Sequence, residues 1–236
     1  YAYRNMGDAY LKLHRYRDAI EVLQKVLELS MPEDVIYEAL GHCFEKQKNY
    51  AQARFHYRKA SHLNSTDSHL YFKIAGTYMS EGYWESAIKN LENAMRINRS
   101  QPDYHFALAK CYVQIDRIKD AVIHFSNFIK ARPKNSNGWK ELIKCLYDAG
   151  YFEEALEQVN NAQKNTNSKP LFIFYKAAVL FALNKSKEAL LHLELGLQTS
   201  PILIKQFIEL NPSLLQHQAI VELITLYKSK NSRRKK

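Results

Sequence analysis

The side chains of this 236-residue chain that could do chemistry are three cysteines, nine histidines and scattered carboxylates. Cys43, Cys111 and Cys145 fall in one column of a 34-residue period, the last two on neighbouring equivalent helices. Packed helix axes lie roughly 8–10 Å apart, whereas a disulfide needs Cα atoms within about 7 Å. Buried free thiols are expected, and they fit a reducing compartment. No two histidines stand four residues apart, and His62 and His69, seven apart, are too loose a pair to hold an ion. The chain has no Gly-rich phosphate loop and no G-x-S-x-G elbow. Carboxylate pairs such as Glu153–Glu154 fall where a helix starts and complement its dipole there. These residues point to no catalysis, no metal and no cofactor.

The elements behind these side chains are set by a ladder of alanines. Ala19, Ala53, Ala87, Ala121, Ala155 and Ala189 stand 34 residues apart. Each is followed four residues later by a bulkier residue: Leu23, Tyr57, Leu91, Phe125, Val159 or Leu193. Twelve residues before each alanine lies a second column, Gly7, Gly41, Ala75, Ala109, Ile143 and Ala177. Aromatic or leucine residues follow it three positions on: Tyr10, Phe44, Tyr78, Tyr112, Leu146 and Leu180. Steps of three and four put each set on one helical face, so every period encodes two helices. Small residues let the two approach closely and the aromatics fill the space around them. Between them Gly82, Gly150 and Asn184 suit a left-handed cap, while His14, Lys48 and Asp116 take the same position at some strain. Pro133 and Pro201 stop second helices.

These residues resemble the tetratricopeptide repeat, a 34-residue signature of aromatic, Leu-Gly, Tyr, Ala, a bulky apolar residue and Pro. The first unit reads Tyr3, Met6–Gly7, Tyr10, Ala19, Leu23; the second reads Tyr37, Leu40–Gly41, Phe44, Ala53, Tyr57, Ala60; the third reads Tyr71, Ile74–Ala75, Tyr78, Ala87, Leu91, Ala94. The resemblance implies an all-α, right-handed α-α solenoid of six helix-turn-helix repeats, residues 1–33, 34–67, 68–101, 102–135, 136–169 and 170–201. Two departures stand out. Ile143 replaces a small residue, so the fifth pair should open slightly, and Lys176 falls where the sixth unit should bury a leucine. After Pro201 the register ends, and residues 202–228 read as a C-terminal capping helix pair. Nothing equivalent covers the first repeat, so further sequence, such as more repeats, is expected before Tyr1.

The net charge of +10 is uneven: Lys228, Lys230, Arg233, Arg234, Lys235 and Lys236 carry six of those charges. Residues 229–236 read as a solvated basic tail. The longest apolar stretch, Leu171 to Leu183, is interrupted by Lys176 and too short to span a bilayer. Free cysteines and the lack of a visible signal sequence favour the cytoplasm. A periplasmic location stays open, because the chain begins inside a helical pattern.

In the family, the face of the first helices that does not pack inward lines a concave groove where peptides bind. Carried onto this chain, that groove holds Arg4, Asp8, Glu38, His42, His69, Phe72, Gly76, Met79, Phe106, Lys110, Val113, Lys140, Lys144 and Tyr147. Leu171, Phe174 and Phe181 continue the column, but the apolar sixth unit is expected to lie under the cap. Some relatives grip a C-terminal carboxylate with a Lys and an Asn four residues later; here Arg4 and Asp8 take those places, and the acid would repel it. Phe72 and Phe106 share a column, Gly76 leaves a gap beside Phe72, and Lys110, Lys140 and Lys144 follow. Aromatic anchors beside cations suit a peptide or helix with apolar and acidic residues. The resemblance therefore implies a non-enzymatic scaffold that binds a partner protein. Two alternatives stand beside it: the docking arm of a larger enzyme, and nucleic-acid binding through the tail and groove lysines. A groove without a continuous basic track counts against the second.

Overall fold

A computed structural model describes residues 2–233, with side chains described as far as Tyr227. Every regular element among the described residues is helical. The chain divides into two compact units, one up to Arg117 and one from Ile118 onward. The first holds α1 (Ala2–Lys12), α2 (Tyr16–Leu29), α3 (Asp34–Lys46), α4 (Tyr50–Leu63), α5 (Ser68–Ser80), α6 (Trp84–Ile97) and α7 (Pro102–Gln114). The second holds α8 (Ile118–Ala131), α9 (Ser136–Asp148), α10 (Phe152–Asn165), α11 (Lys169–Ala182) and α12 (Ser186–Thr199). It continues through a 3-10 turn at Pro201–Leu203, α13 (Ile204–Leu210), a 3-10 turn at Pro212–Gln216 and α14 (Gln218–Arg233).

The turn column behaves alike in every repeat. His14, Lys48, Asp116 and Asn184 have φ near +60°, at 56°, 60°, 58° and 59°, and Gly82 and Gly150 lie at 80° and 79°. The left-handed residue bends the chain so that the next amide reaches back to the ring column of the first helix. Arg15 donates to the Tyr10 carbonyl at 2.9 Å, Asn49 to Phe44 at 2.8 Å and Arg117 to Tyr112 at 2.9 Å. This 6→1 bond is the mark of a Schellman cap. It also sets side chains over rings: the guanidinium of Arg15 lies 4.7 Å from the Tyr10 centroid and that of Arg117 4.6 Å from Tyr112.

Within each unit the ladder alanines and their bulky followers are buried almost completely. The small column of the first helices leaves room for bulky side chains of the second. A Cβ built on Gly41 would fall 2.5 Å from the Tyr57 ring, and one on Gly7 would fall 2.9 Å from Leu23. In the second unit the bulk changes sides, with Ile143 on the first helix and the smaller Val159 on the second, both fully buried. The exchange keeps volume roughly constant, as close-packed cores require, and α9 and α10 still pack less extensively than α3 and α4.

The residues after Pro201 cover the last pair, with α13 against α11 and α14 against α12. Phe207, Leu210, Leu214, Ile220 and Ile224 are the buried side of this cap. Asn211 caps the second 3-10 turn, its Oδ1 accepting from the Ser213 amide at 3.0 Å. The last helix runs to Arg233, five residues beyond the expected end of the cap at 228. The basic tail's side chains lie outside the described residues.

The expectation for the sixth pair needs one correction. Phe181 is indeed under the cap, with Phe207 at 6.3 Å and His217 stacked at 6.0 Å. Phe174 instead points into its own pair, where Gly196 of α12 leaves room for it: a Cβ there would fall 2.9 Å from the ring. With Phe172, Phe174 and Tyr175 buried in succession, α11 seats its rings without a leucine at Lys176, which stays half-buried.

Candidate functional site

In the first unit, the outward face of α1, α3, α5 and α7 is built from neighbouring first helices that touch through side chains. Arg4 pairs with Glu33, so the cation that would greet a carboxylate is already engaged. Asp8 beside it is exposed. Glu38 of α3 takes an ion pair from Lys73 of α5 at 3.0 Å. Lys73 also lies 5.5 Å over the Tyr57 ring, which ties the outward face to the core beneath it. His42 is half-buried, edge-on to Tyr16 at 6.1 Å. Burial, then the cations Lys73 and Lys46, hold its pKa below the ordinary imidazole value.

Farther along, exposed His69 stacks on Phe72 at 5.9 Å, and Phe72 leans on Tyr104 of α7 at 5.1 Å. Tyr104 is held by a hydrogen bond between its hydroxyl and Ser68 Oγ at 2.9 Å. A Cβ built on Gly76, one helical turn from Phe72, would meet nothing within 4 Å. The backbone at Gly76 is therefore not covered by a neighbouring side chain. Met79, Phe106 and Val113 are half-buried and Lys110 is exposed. Sequence reasoning missed Lys73 and Tyr104, which brace this face from its two sides. Tyr104 carried a signal, standing next to the aromatic column one helical repeat after Leu70.

In the second unit, Lys140 is half-buried and Lys144 exposed. Tyr147 does not belong to an open face. It is 8% exposed, its ring packs edge-on to Phe152 at 5.3 Å and its hydroxyl accepts from Asn211 Nδ2 at 2.9 Å. The cap reaches back 64 residues to claim it, a distance no local pattern reveals.

Among the described residues no group of three or more His, Cys, Asp or Glu is placed to hold a metal ion. The thiols of Cys43, Cys111 and Cys145 are buried and unpaired, and burial pushes them up to about 11, about 12 and about 11. Thiols so far from ionising are poor nucleophiles. No described helix is long and apolar enough to cross a membrane.

Helix pairs on a 34-residue period, closed by left-handed turns and showing an outward first-helix face, define an α-helical repeat protein. The tetratricopeptide repeat family model matches residues 1–31, and the model of anaphase-promoting complex, cyclosome, subunit 3 matches residues 46–128. Its repeats and these matches make the chain similar to the tetratricopeptide-repeat family. No curated protein matches it. Among solved structures it is similar to the C-terminal part of a TPR repeat-containing protein from Cytophaga hutchinsonii, at 14% identity and TM-score 0.71, covering 93% of this chain and 98% of that one. It is also similar to YrrB, described as a TPR protein with an unusual peptide-binding site, at 17% identity and TM-score 0.63, covering 86% and 98%. A third is MamA from Desulfovibrio magneticus RS-1, at 12% identity and TM-score 0.64, covering 69% and 92%. At these identities the likeness is one of fold.

Proposed function

We propose that the chain is a non-enzymatic scaffold whose outward first-helix face binds an extended peptide or a helix of a partner protein. One observation carries the reading: Phe72 is braced by Tyr104, and one turn along the same helix Gly76 leaves the backbone uncovered. A braced, half-buried ring beside uncovered backbone offers a contact that an apolar guest residue can cover while its neighbours exclude water. Exposed Lys110 in the same unit favours an acidic residue on the guest, and Lys140 and Lys144 give the second unit the same preference. The family that the chain resembles supports binding by analogy. A reducing, cytoplasmic setting belongs to the same reading, consistent with three unpaired thiols.

The test is selection of peptides from a displayed random library on the intact chain, followed by calorimetry on the selected sequences. Enrichment of sequences with apolar and acidic residues is expected. Phe72→Ala and Gly76→Leu, the second covering that backbone without removing the ring, should each weaken binding by about tenfold or more. Selected peptides indifferent to both changes would remove this face from consideration.

A further inference from the structure

The second helix of the second repeat differs from its counterparts in charge. Residues 50–63 contain Arg54, Arg58 and Lys59 and no Asp or Glu. Every other second helix carries at least one acid, from Asp18 in α2 to Glu188 in α12. The buried side of α4 is Ala53, His56, Tyr57, Ala60 and Ser61. Its cations therefore collect on the opposite side, away from the first-helix face. There Ala51, Arg54, Phe55, Arg58, Lys59 and His62 line an open cleft of about 470 Å³ with Tyr78 of α5.

The cleft is organised around Tyr78. The guanidinium of Arg54 lies 4.4 Å over its ring and pairs with Glu81, which neutralises that charge. Arg58 Nη2 donates to the Tyr78 hydroxyl at 2.6 Å. Lys59 leans over the Phe55 ring at 5.7 Å, and Phe55 itself is 51% exposed. Neither Arg58 nor Lys59 forms an ion pair among the described residues. Two uncompensated cations, one held by a tyrosine, thus flank a large exposed ring. A guanidinium fixed in place forfeits less entropy on meeting an oxyanion than a free one.

We propose that the outer side of α4 is a second docking site, which takes a partner's peptide segment bearing an anionic side chain beside an apolar one. The carboxylate or phosphate of that side chain meets Arg58 and Lys59, and the apolar residue covers Phe55. The site is independent of the first-helix face and stands whether or not that face binds a guest.

The test uses the intact, isotope-labelled chain and acetylated pentapeptides alternating leucine with one polar residue: glutamate, phosphoserine, or glutamine as control. Inorganic phosphate and a short oligothymidylate are titrated in parallel. Saturable amide shifts confined to residues 51–62 and to Tyr78 are expected with the glutamate or phosphoserine peptide, whichever binds tighter naming the anion. The glutamine peptide should bind at least about tenfold more weakly, and added salt should weaken the anionic peptides. Arg58→Gln with Lys59→Gln should abolish the shifts while thermal unfolding stays unchanged, since both side chains are exposed; Phe72→Ala should leave them as they were. Phe55→Ser should weaken the peptides and spare inorganic phosphate. Equal binding of the glutamine peptide, or shifts centred on the first-helix face, would overturn the proposal. So would tighter binding of the oligonucleotide, which would mark the cleft as a nucleic-acid contact, or absence of saturation by any peptide.

Discussion

Gly41 and Tyr57 share one space: the tyrosine ring lies where a Cβ on the glycine would be, 2.5 Å from it. The ring has no route of retreat, because it is fully buried and its hydroxyl donates to Glu45 at 2.6 Å. Gly41→Ala is favoured by helix propensity by about 1 kcal/mol, but overpacking a closed core costs about 1–3 kcal/mol. With the ring unable to retreat the upper end of that cost applies, and a net loss of about 2 kcal/mol is expected in urea unfolding. Adding Tyr57→Leu should recover part of it by making room. A Gly41→Ala variant as stable as the parent would show that the α3–α4 approach is looser than this contact requires.

Gly76→Ala should do the opposite. Its Cβ meets nothing, and φ is not in the left-handed region. Restricting the unfolded chain should then raise stability by about 0.4–1 kcal/mol. Because the methyl partly covers the backbone beside Phe72, peptides selected on the first-helix face should bind more weakly to this more stable protein. Calorimetry and urea unfolding on one preparation measure both signs.

Lys48 occupies a left-handed turn position with φ of 60°. Strain of about 1–2 kcal/mol there exceeds the extra unfolded-state freedom that glycine brings, about 0.4–1 kcal/mol. Lys48→Gly should therefore stabilise by roughly 0.5–1 kcal/mol. Asn184→Gly should change little, since asparagine tolerates this conformation. Midpoints of urea unfolding compare the two.

Acid should destabilise the first unit through His56. The ring is buried and stacked on Phe44 at 5.2 Å, with Nδ1 lacking a partner, and burial lowers its pKa below the ordinary imidazole value. His42 and His105 are lowered for the same first reason. The folded state thus takes up protons later than the unfolded state as pH falls. Stability from these neutral rings is complete above about pH 6.5 and declines below it, by up to about 1.4 kcal/mol per group and pH unit, until the folded value is passed. His56→Phe should flatten the decline in urea midpoint between about pH 7 and about pH 5. An unchanged slope would assign the acid sensitivity elsewhere.

Much of this architecture can be read from the residues because each repeat restates it. Ala19 through Ala189 mark the second helices, and phase alone places His14, Lys48 and Asp116 in left-handed turns that their side chains do not advertise. What the pattern hides depends on contacts outside the period. Tyr147 reads as an open-face residue until Asn211 of the cap is seen bonded to it, and Phe174 is drawn inward because Gly196 stands where earlier repeats carry Ala60, Ala94 and Ala162. The α4 cleft is an intermediate case. Its missing acids are visible in the sequence, but only Tyr78 reaching from α5 turns a basic helix side into a pocket.

The column of buried thiols equips the protein with chemical timers. Cys43 and Cys111 lie in the first unit and Cys145 in the second. None can react with an alkylating reagent until its surroundings open, because each is both covered and far from ionising at neutral pH. Pulses of reagent in rising denaturant, with the modified peptides weighed by mass spectrometry, would give an opening free energy for each thiol. Helical repeats can come apart in sections or all at once. Staggered modification of Cys43 and Cys145 would reveal a sectional protein, and simultaneous modification a single cooperative one, without a label or a mutation being introduced.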